Sequence, residues 1–386
     1  MIPFKIKVQP KDFIVKEIVD LKLNESSDYG LYILEKQGYG TVELLKILSK
    51  KLNLSFTDFS YGGRKDKCAY TIQYITIKNK NAFNIKEKNY SLKFCGYTQK
   101  PMQPAFISAN EFKITVRDLS LDLEKKILNN IDNVKNFGYP NYFDNQRFGS
   151  YHRYDGFFGE KILRRHYSGA LKIYLTNFRS NDTTADKARK EFFFKNWGDW
   201  KTCLEKAKTD YEKKVFSFLK KNKDAFIFIL QRIPKEKMSL YFAAYQSYLW
   251  NILVKRLIKN LIKGNLKLYK GLVEDYLFYE KLDSHSLFLK ELIIPLAAKK
   301  AKMPPQVFDL YIKILNEQKL KPTFFDNRKL RQAFFKPIPR KVIVIPKEFS
   351  YEFLDDEFYK GKRKLILKFI LPRGSYGTML VKRLFS

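Results

Sequence analysis

The residues with the clearest chemical potential lie in one short segment, YGGRKDKCAYTIQ at positions 61–73. Its single carboxylate, Asp66, is surrounded by three cations, Arg64, Lys65 and Lys67. Neighbouring cations favour the ionised form of a carboxylate, and an ionised aspartate is suited to nucleophilic attack. The two preceding glycines permit positive φ angles and close approach of a ligand. A charged surface turn with Asp66 in a solvated ion pair has the same composition, so both interpretations are open here.

Two further places carry side chains suited to binding bases. The segment Asn141–Gly149 (NYFDNQRFG) combines amides, aromatic rings and one arginine. Such side chains stack on unpaired bases and hydrogen-bond to base edges and phosphates. A polar loop with aromatic rings buried in the core has the same composition. Tyr376, after Gly374, is either a stacking platform or a core aromatic at a strand end, and its own sequence context favours the core.

The charge of the chain indicates a polyanionic partner. Its 386 residues include 74 Lys and Arg against 40 Asp and Glu, a formal net charge of +34. Such an excess favours nucleic acid as the partner over an anionic membrane surface. Codon bias towards lysine is the competing explanation, but it leaves the shortage of carboxylates unexplained.

Several classes of site and location are disfavoured. The three cysteines are far apart and the three histidines lack ligand spacing, which disfavours a disulfide framework or a zinc site. The chain has no P-loop and no GxGxxG motif, and no carboxylate cluster for a metal nuclease near Asp66. Without a long apolar N-terminal region or 18 consecutive apolar residues, we expect a cytoplasmic, reduced protein with no membrane span.

The elements that must position these residues change type along the chain. Strand alternation at 4–8, 68–77 and 112–116 is accompanied by helical patterns, one with Thr41 as its N-cap and one over 121–136 that ends at Gly138. From 153 to 325 the pattern is mostly helical, including a 3–4 spacing over 240–261 that Gly264 can terminate. The runs KVIVIP (341–346) and KLILKFIL (364–371) are strand-like and should complete the sheet begun by residues 1–150.

Six separated segments resemble the TruD family of tRNA pseudouridine synthases, in the order of the family. They are PKDFIVKE (10–17), GRKDKCAYTIQ (63–73), NEF (110–112), NYFDNQRFG (141–149), the helical stretch AYQSYLWN (244–251) and LPRGSYGT (371–378). The chain departs from the family pattern at Asp144, Trp250 and Gly377, where Gly, Phe and Ala are usual. These departures concern loop geometry more than the reaction.

The resemblance implies a fold, a reaction and a substrate. We expect an α+β fold with a pseudouridine synthase-type mixed or antiparallel sheet, and an inserted, mostly helical domain. The catalytic domain would comprise 1–152 and 326–386, with the TRUD-type insert at 153–325. Asp66 would be the nucleophile that isomerises a uridine of tRNA, usually position 13 in the D arm, with no cofactor and no metal. A non-catalytic RNA-binding protein or RNA chaperone is the alternative.

The resemblance also assigns roles around Asp66. Lys65 would keep Asp66 ionised or orient it, unless an extended backbone points Lys65 away and leaves that role to Arg64 or a distant cation. Asn110 and Phe112 would line the uracil pocket, Tyr376 would stack near the base, and Phe13 and Glu17 would support the motif loop. Three further residues would contact the substrate: Asn141, Gln146 and Arg147.

Overall fold

The computed structural model describes residues 4–79, 81–179, 182–330 and 332–386. The chain forms two compact units. Unit 1 comprises Met1–Tyr139 and Val344–Phe385, and unit 2 comprises Pro140–Ile343 together with Ser386. Unit 1 is therefore built from two separate stretches of the sequence. The predicted boundaries at 152/153 and 325/326 lie inside unit 2, and the assignment of 153–325 as a TRUD-type insert stays a prediction.

The strands, in chain order, are β1 (Lys5–Ile6), β2 (Phe13–Val19), β3 (Tyr29–Lys36), β4 (Phe59–Tyr61), β5 (Tyr70–Lys78), β6 (Ile85–Lys86), β7 (Tyr90–Thr98), β8 (Ile107–Leu119), β9 (Tyr139–Pro140), β10 (Tyr151–His152), β11 (Gly156–Phe157), β12 (Leu266–Tyr269), β13 (Tyr276–Tyr279), β14 (Ile293–Pro295), β15 (Pro339–Lys341), β16 (Ile343–Val344), β17 (Lys347–Asp355) and β18 (Arg363–Pro372).

The α-helices are α1 (Thr41–Lys51), α2 (Leu121–Phe137), α3 (Phe158–Leu163), α4 (Tyr167–Thr176), α5 (Thr184–Lys195), α6 (Trp200–Lys206), α7 (Asp210–Lys221), α8 (Phe226–Leu230), α9 (Lys235–Leu261), α10 (Pro305–Glu317) and α11 (Gly377–Leu384). Two short 3₁₀ helices also matter for the sites below, one before β2 (Pro10–Asp12) and one after α10 (Pro322–Phe325).

Unit 1 is built on one large mixed sheet. Its strand order is β17-β18-β8-β2-β5-β3-β7-β6, with β1 paired to β8 and β4 paired to β5. The β2–β5 pair is parallel, and β18 runs antiparallel to β8. Because β18 follows β8 by more than 240 residues, the C-terminal stretch completes the sheet that the N-terminal stretch begins. The predicted α+β class is confirmed, and so is the predicted place of 364–371.

One strand prediction was wrong. The run 341–346 contains the last residue of β15, Lys341, and the two residues of β16, Ile343–Val344. Both strands lie outside the large sheet. The neighbour of β18 is instead β17, whose residues are mostly exposed. Its sequence, KEFSYEFLD, alternates Phe349, Tyr351 and Phe353 with Ser350 and Glu352, a strand period that the prediction for the apolar run KVIVIP did not take into account.

The helix starting near Thr41 begins one residue earlier than predicted, because Gly40 is the N-cap of α1. The other predicted helix of unit 1 is confirmed as α2, which ends at Gly138 with a φ of +68°. A positive φ at this position favours glycine. In unit 2, α9 ends at Leu261, before Gly264.

The core of unit 1 includes a cluster between α1 and the sheet. Its buried side chains come from one helix and four strands: Leu44, Leu45 and Leu48, with Tyr32, Leu34, Phe59, Ile75, Ile77 and Leu92. Burying large aliphatic side chains contributes about 1.5–3 kcal/mol each. This packing holds α1 against β3, β4 and β5, and the segment 61–73 connects the last two of these strands.

A buried ion cluster joins separate parts of unit 1. Arg117, on β8, has a side chain that is 3% exposed. Its guanidinium donates to Asp12, before β2, at 2.9 Å and to Asp356, between β17 and β18, also at 2.9 Å. Glu357 accepts a third contact at 3.0 Å. Charges removed from water are stable only when paired in this way.

Unit 2 is mostly helical, as predicted for this part of the chain. The long helix α9 packs against α3 and α10, and Phe242 on α9 stacks on Phe335 with ring centroids 4.3 Å apart. Short antiparallel pairs β10–β11, β12–β13 and β14–β15 accompany the helices. Unit 2 also contains all three tryptophans of the chain: Trp197, Trp200 and Trp250.

Candidate active site

The motif segment forms the loop between β4 and β5 in unit 1. At Gly62, an added Cβ would lie 2.4 Å from Ile107 Cδ1, so no other residue fits there without a shift. At Gly63 an added Cβ would meet nothing within 4 Å. Neither glycine has a positive φ. The positive φ that glycine permits is therefore not used at either position, and the requirement at Gly62 is space.

Asp66 presents a partly exposed carboxylate, with 35% of its side chain accessible. Its Oδ2 forms an ion pair with Lys7 Nζ, and its Oδ1 accepts the backbone N–H of Cys68 at 3.0 Å. Burial is the largest influence on the pKa and acts to raise it, but the hydrogen bonds from Lys7 and Cys68 outweigh it. The pKa of Asp66 is therefore below its ordinary value of 3.8, and the carboxylate is ionised at neutral pH.

The lysines adjacent to Asp66 in the sequence are engaged elsewhere. Lys65 Nζ lies 2.9 Å from Glu17 Oε1, and Lys67 Nζ lies 3.3 Å from Glu43 Oε2. The cation paired with Asp66 is instead Lys7, which precedes β2. Of the alternatives left open by the sequence, a distant cation is the one that the geometry supports.

A second cation lies behind the motif loop. Lys36, at the end of β3, is fully buried. Its Nζ donates to the carbonyl oxygens of Tyr39 at 2.8 Å and of Asp66 at 3.2 Å. Desolvation lowers the pKa of Lys36 to about 8, and the negative charge of Asp66 opposes this shift. Lys36 thus holds the backbone of the residue whose side chain is the candidate nucleophile.

Lys65 joins the loop to two neighbouring strands. Its ammonium contacts Glu17 on β2 and donates to Asn110 Oδ1 on β8 at 2.8 Å. The Glu17 side chain is completely buried, and its Oε2 accepts the backbone N–H of Tyr74 at 2.8 Å. Three of the predicted site residues are therefore in direct contact with one another.

Thr41 fixes the same loop from the start of α1. Its hydroxyl oxygen accepts the backbone N–H of Lys65 at 2.9 Å, and its hydroxyl donates to Gln73 Oε1 at 2.9 Å. This use of the side chain explains why Thr41 does not cap its own helix. Thr41, which the sequence indicated as a helix cap, instead connects α1 to the motif loop and to β5 through these two hydrogen bonds.

The two predicted phenylalanines support the site from the sheet. The rings of Phe13 and Phe112 meet edge to face, with centroids 6.2 Å apart, and each residue is 6% exposed. Lys7 Nζ lies 4.4 Å from the centroid of the Phe13 ring, a cation–π distance. Phe13 therefore contacts the cation that pairs with Asp66, whereas Phe112 stacks on Phe369 with centroids 5.4 Å apart.

Tyr376 belongs to the same unit as Asp66 although 310 positions separate their numbers. It is the N-cap residue of α11 and is partly buried. The preceding strand pairs Leu371 with Asn110, and a Cβ on Gly377 would lie 2.9 Å from Phe112. The segment around Tyr376 thus adjoins β8 near Asn110 and Phe112. Stacking of Tyr376 near a base stays a prediction.

The remaining predicted site residues lie in unit 2. Asn141 accepts from Arg340 Nη2 at 2.8 Å, and both residues are buried. Arg147 Nε donates to Ser247 at 3.0 Å, and Gln146 is exposed. Asn141 has a clear structural partner within its own unit. The predicted contacts of these three residues with substrate remain predictions.

Sequence reasoning missed the three residues that fix Asp66 and its loop from a distance. Lys7, Lys36 and Thr41 lie 59, 30 and 25 positions before Asp66, and they follow β1, end β3 and begin α1, respectively. No local spacing links them to the motif. Only the pairing of β2, β3 and β5 brings their elements together, so the signal is in the topology of the sheet.

The part of the chain that the structure describes shows neither a metal-binding cluster nor a membrane-spanning helix. Among those residues, no group of three or more His, Cys, Asp and Glu side chains could hold a metal ion. No helix among them is long and apolar enough to span a membrane.

The chain is similar to known proteins over nearly its whole length. The sequence profile described as tRNA pseudouridine synthase D (TruD) matches residues 2–384. Probable tRNA pseudouridine synthase D 1 of Methanococcus maripaludis is 33% identical, over 99% of this chain and 99% of its own length. The tRNA pseudouridine synthase D of Leptospira interrogans is 29% identical, over 99% of this chain and 96% of its own length.

The fold is also similar to a solved structure. A crystal structure of a Methanosarcina mazei protein classed as TruD matches with a TM-score of 0.73 and 25% identity. The match covers 100% of this chain and 94% of that one. The similarity therefore extends over both units and is not confined to the sheet.

Proposed function

The chain belongs to the TruD family of tRNA pseudouridine synthases, and we propose that it isomerises uridine 13 in the D arm of tRNA with Asp66 as the nucleophile. The observation that carries this proposal is the state of the Asp66 carboxylate. It is ionised, partly exposed and held by Lys7 and the Cys68 N–H. The loop beneath it is fixed by Lys36 and Lys65, which keeps the carboxylate in one position.

Pseudouridine formation requires an ionised carboxylate such as that of Asp66 and no redox or group-transfer chemistry. Pseudouridine formation breaks the bond between N1 and C1′, turns the uracil, and joins C5 to C1′. No external group, electron or phosphate is transferred. Asp66 either attacks the sugar at C1′, attacks the base at C6, or removes a sugar proton, and each of these steps needs an ionised carboxylate. The target base must first leave its stack to reach Asp66.

Lys7 and Lys65 have different roles in this proposal. Lys7 neutralises the carboxylate in the free enzyme and keeps its pKa low. Lys65 orients Glu17 and Asn110, which lie on the two strands beside the loop. Asn110, Phe112 and Tyr376 then border the space in which the uracil turns, and Phe13 supports Lys7.

The contribution of unit 2 is proposed from its residue types. Asn141, Gln146 and Arg147 would contact tRNA, with Gln146 the most accessible of the three. Because its substrate is tRNA, we propose that the protein works in the cytoplasm. Because the reaction transfers no external group, we propose that it needs no metal or organic cofactor. Full activity on pre-folded tRNA in excess chelator is the expected result.

The experiment is to incubate the purified protein with an unmodified tRNA transcript and to map pseudouridine at every uridine. The proposal expects conversion at position 13, and a transcript with cytidine there is the matched control that should remain unmodified. Conversion at another uridine would contradict the D-arm assignment alone. Tight tRNA binding without conversion at any position would favour the alternative, a non-catalytic RNA-binding protein.

A further inference from the structure

Unit 2 contains a cavity of about 720 Å³ whose residues have no part in the chemistry of Asp66. One wall is the turn between α3 and α4, and the other is the 3₁₀ helix Pro322–Phe325 with the residues that follow it. Cavities of about 300–1,000 Å³ are the usual size for binding a small molecule or a single nucleotide. The cavity is therefore large enough for one nucleotide.

The lining of this cavity is cationic. It contains four cations, Arg164, Arg165, Arg328 and Lys329, against one carboxylate, Asp326. That carboxylate is already paired, with Lys299 at 2.6 Å and with Arg328 at 3.0 Å. Among the described residues, Arg165 and Lys329 have no carboxylate partner. Their charges are available to an anion.

Codon bias does not account for this cluster. A bias towards lysine codons disfavours arginine, and lysine is much commoner than arginine in this chain. Even so, three arginines line one cavity.

The cavity also has side chains that suit a base. Phe324 is 40% exposed, and Tyr167 lies on the opposite wall with Lys329 Nζ 5.8 Å from its ring centroid. The Nδ2 of Asn327 is buried and has no hydrogen-bond partner among the described residues. Unpaired bases are recognised by stacking on aromatic rings and by hydrogen bonds to their edges.

We propose that this cavity binds one unpaired nucleotide of the tRNA substrate. Its phosphate would lie against Arg165, Arg328 and Lys329, and its base would stack on Phe324 with Asn327 at its edge. The inference rests on the proposed function in one respect, that tRNA is the partner. A free nucleotide has the same chemistry, but the chain of a tRNA also brings neighbouring phosphates to the surplus charge.

The first test compares two triple variants of the full-length protein with equal loss of charge. One is Arg165→Ala, Arg328→Ala and Lys329→Ala, which keeps Arg164 because it donates to Gln318 at 2.9 Å. The control is Lys220→Ala, Lys221→Ala and Lys223→Ala, three exposed residues of the same unit. Unchanged thermal unfolding midpoints would show that both variants are folded.

The two variants should differ in tRNA affinity and in its salt dependence. We expect the cavity variant to bind tRNA about 30-fold more weakly, with a salt slope smaller by about 2 to 3. The control should lose less than about threefold, since diffuse charge contributes little. Equal losses in the two variants would overturn the proposal.

The second test addresses the base. Phe324→Ala should weaken tRNA binding about tenfold with an unchanged salt slope, because stacking is not ionic. Phe308→Ala, which removes a 50% exposed ring on α10 of the same unit, is the matched control and should have no effect. Loss of affinity in both variants, or in neither, would contradict a base-binding role for the cavity.

A third test separates the two possible sources of the nucleotide. Uridine monophosphate at about 1 mM should neither displace tRNA nor bind measurably, because most of the affinity comes from several phosphates. Micromolar binding of uridine monophosphate through the same cations, with tRNA affinity unchanged, would identify a free-nucleotide site and overturn the proposal.

Failure of the cavity proposal can be distinguished from failure of the proposed function. The cavity is tested by the dissociation constant, and Asp66 is tested by the conversion rate at saturating enzyme. A cavity variant that binds weakly but converts at the normal rate when saturated supports both proposals. Conversion that persists in Asp66→Asn contradicts only the assignment of the nucleophile, whereas a wild-type protein that does not bind tRNA contradicts both.

Discussion

Among single residues, the proposed reaction depends most on an ionised Asp66 paired with Lys7. Replacing Lys7 by methionine removes the strongest influence that lowers the pKa of Asp66 and leaves burial, which raises it. In single-turnover assays, the wild-type rate should be flat down to about pH 4.5. The variant should show an inflection at a higher pH than the wild type, because burial then raises the pKa of Asp66 without the opposing hydrogen bond from Lys7.

The control for this prediction is Lys5→Met. Lys5 precedes Lys7 by two residues but pairs with Asp118 at 3.0 Å, so its loss should leave the acid limb of the profile unchanged. The lowered pKa of Asp66 also determines how its contribution to stability depends on pH. A carboxylate with a lowered pKa stabilises the fold above its unfolded pKa, and this contribution is lost as the pH falls through the folded pKa. Identical profiles for the two variants would show that Lys7 does not set the pKa.

A second residue-scale prediction concerns Lys36, which holds the carbonyl oxygen of Asp66. Lys36→Met keeps the length of the buried side chain but removes its hydrogen bonds to the carbonyl oxygens of Asp66, in the motif loop, and of Tyr39, before α1. We expect the conversion rate at saturating enzyme to fall about tenfold, equivalent to about 1.4 kcal/mol of barrier, while tRNA affinity stays within about twofold. Reduced affinity with an unchanged rate would assign Lys36 to binding instead of positioning.

The sequence identified Asp66 because the motif is local, but it could not identify these partners. Lys7 and Lys36 are two lysines among many in a strongly cationic chain. What distinguishes them is their contact with Asp66, because Lys7 follows β1 and Lys36 ends β3, and both reach Asp66 only in the folded sheet. The resemblance supplied Glu17, Lys65 and Asn110 as site residues, and the structure brings these three into contact.

At the scale of elements, the buried cluster around Arg117 joins β8 to the segment before β2 and to the turn between β17 and β18. Replacing Arg117 by methionine leaves Asp12 and Asp356 buried without a cation. Removing one partner of a buried ion pair typically costs about 3–5 kcal/mol. We therefore expect the free energy of unfolding to fall by that amount in urea titrations.

The matched control is Lys16→Met on β2. Lys16 pairs with Glu111 of β8 at 3.6 Å, and about half of each side chain is exposed. Exposed pairs of this kind contribute about 1 kcal/mol or less, so this variant should unfold almost as the wild type does. A small effect at Arg117 as well would mean that the cluster does not hold the three elements together.

The elements that were predicted correctly are those with one strongly buried face. The alternation in β8, the periodicity of α2 and its glycine cap were all visible in the sequence. The strand β17 was missed although Phe349, Tyr351 and Phe353 alternate in its sequence, because the apolar run at 341–346 was predicted as the strand instead. Thr41 was misassigned as a cap because its hydroxyl has a tertiary partner. Local patterns report burial and capping, but they carry no information about contacts between distant segments.

At the scale of the whole molecule, unit 1 should depend on its C-terminal stretch. A chain ending at Pro346 lacks β17, β18 and α11, so β8 keeps β1 and β2 but loses β18, its antiparallel neighbour on the other side. The buried side chains Leu365, Leu367 and Phe369 leave the core with it. We expect unit 1 to unfold in this truncated protein while unit 2 remains folded, because unit 2 has its own core.

The distribution of tryptophan makes this prediction measurable. All three tryptophans lie in unit 2, so their fluorescence reports on unit 2 alone, whereas far-ultraviolet circular dichroism reports on both units. The truncated chain should keep native tryptophan emission and lose strand signal. Loss of both signals would mean that the two units unfold together, and retention of both would show that β18 is dispensable. The family-type insert at 153–325 is a separate prediction that this experiment does not address.

The most direct measurement is the single-turnover rate of pseudouridine formation by Asp66→Asn, with enzyme in excess over tRNA. The substitution keeps the size of the side chain and removes its charge. The account predicts a fall of about 10⁴-fold, equivalent to about 5 kcal/mol of barrier, with tRNA affinity within a few-fold of wild type. Asp355→Asn, at a side chain that is 94% exposed, should convert tRNA normally. Conversion by Asp66→Asn at close to the wild-type rate would contradict the assignment of Asp66 as the nucleophile.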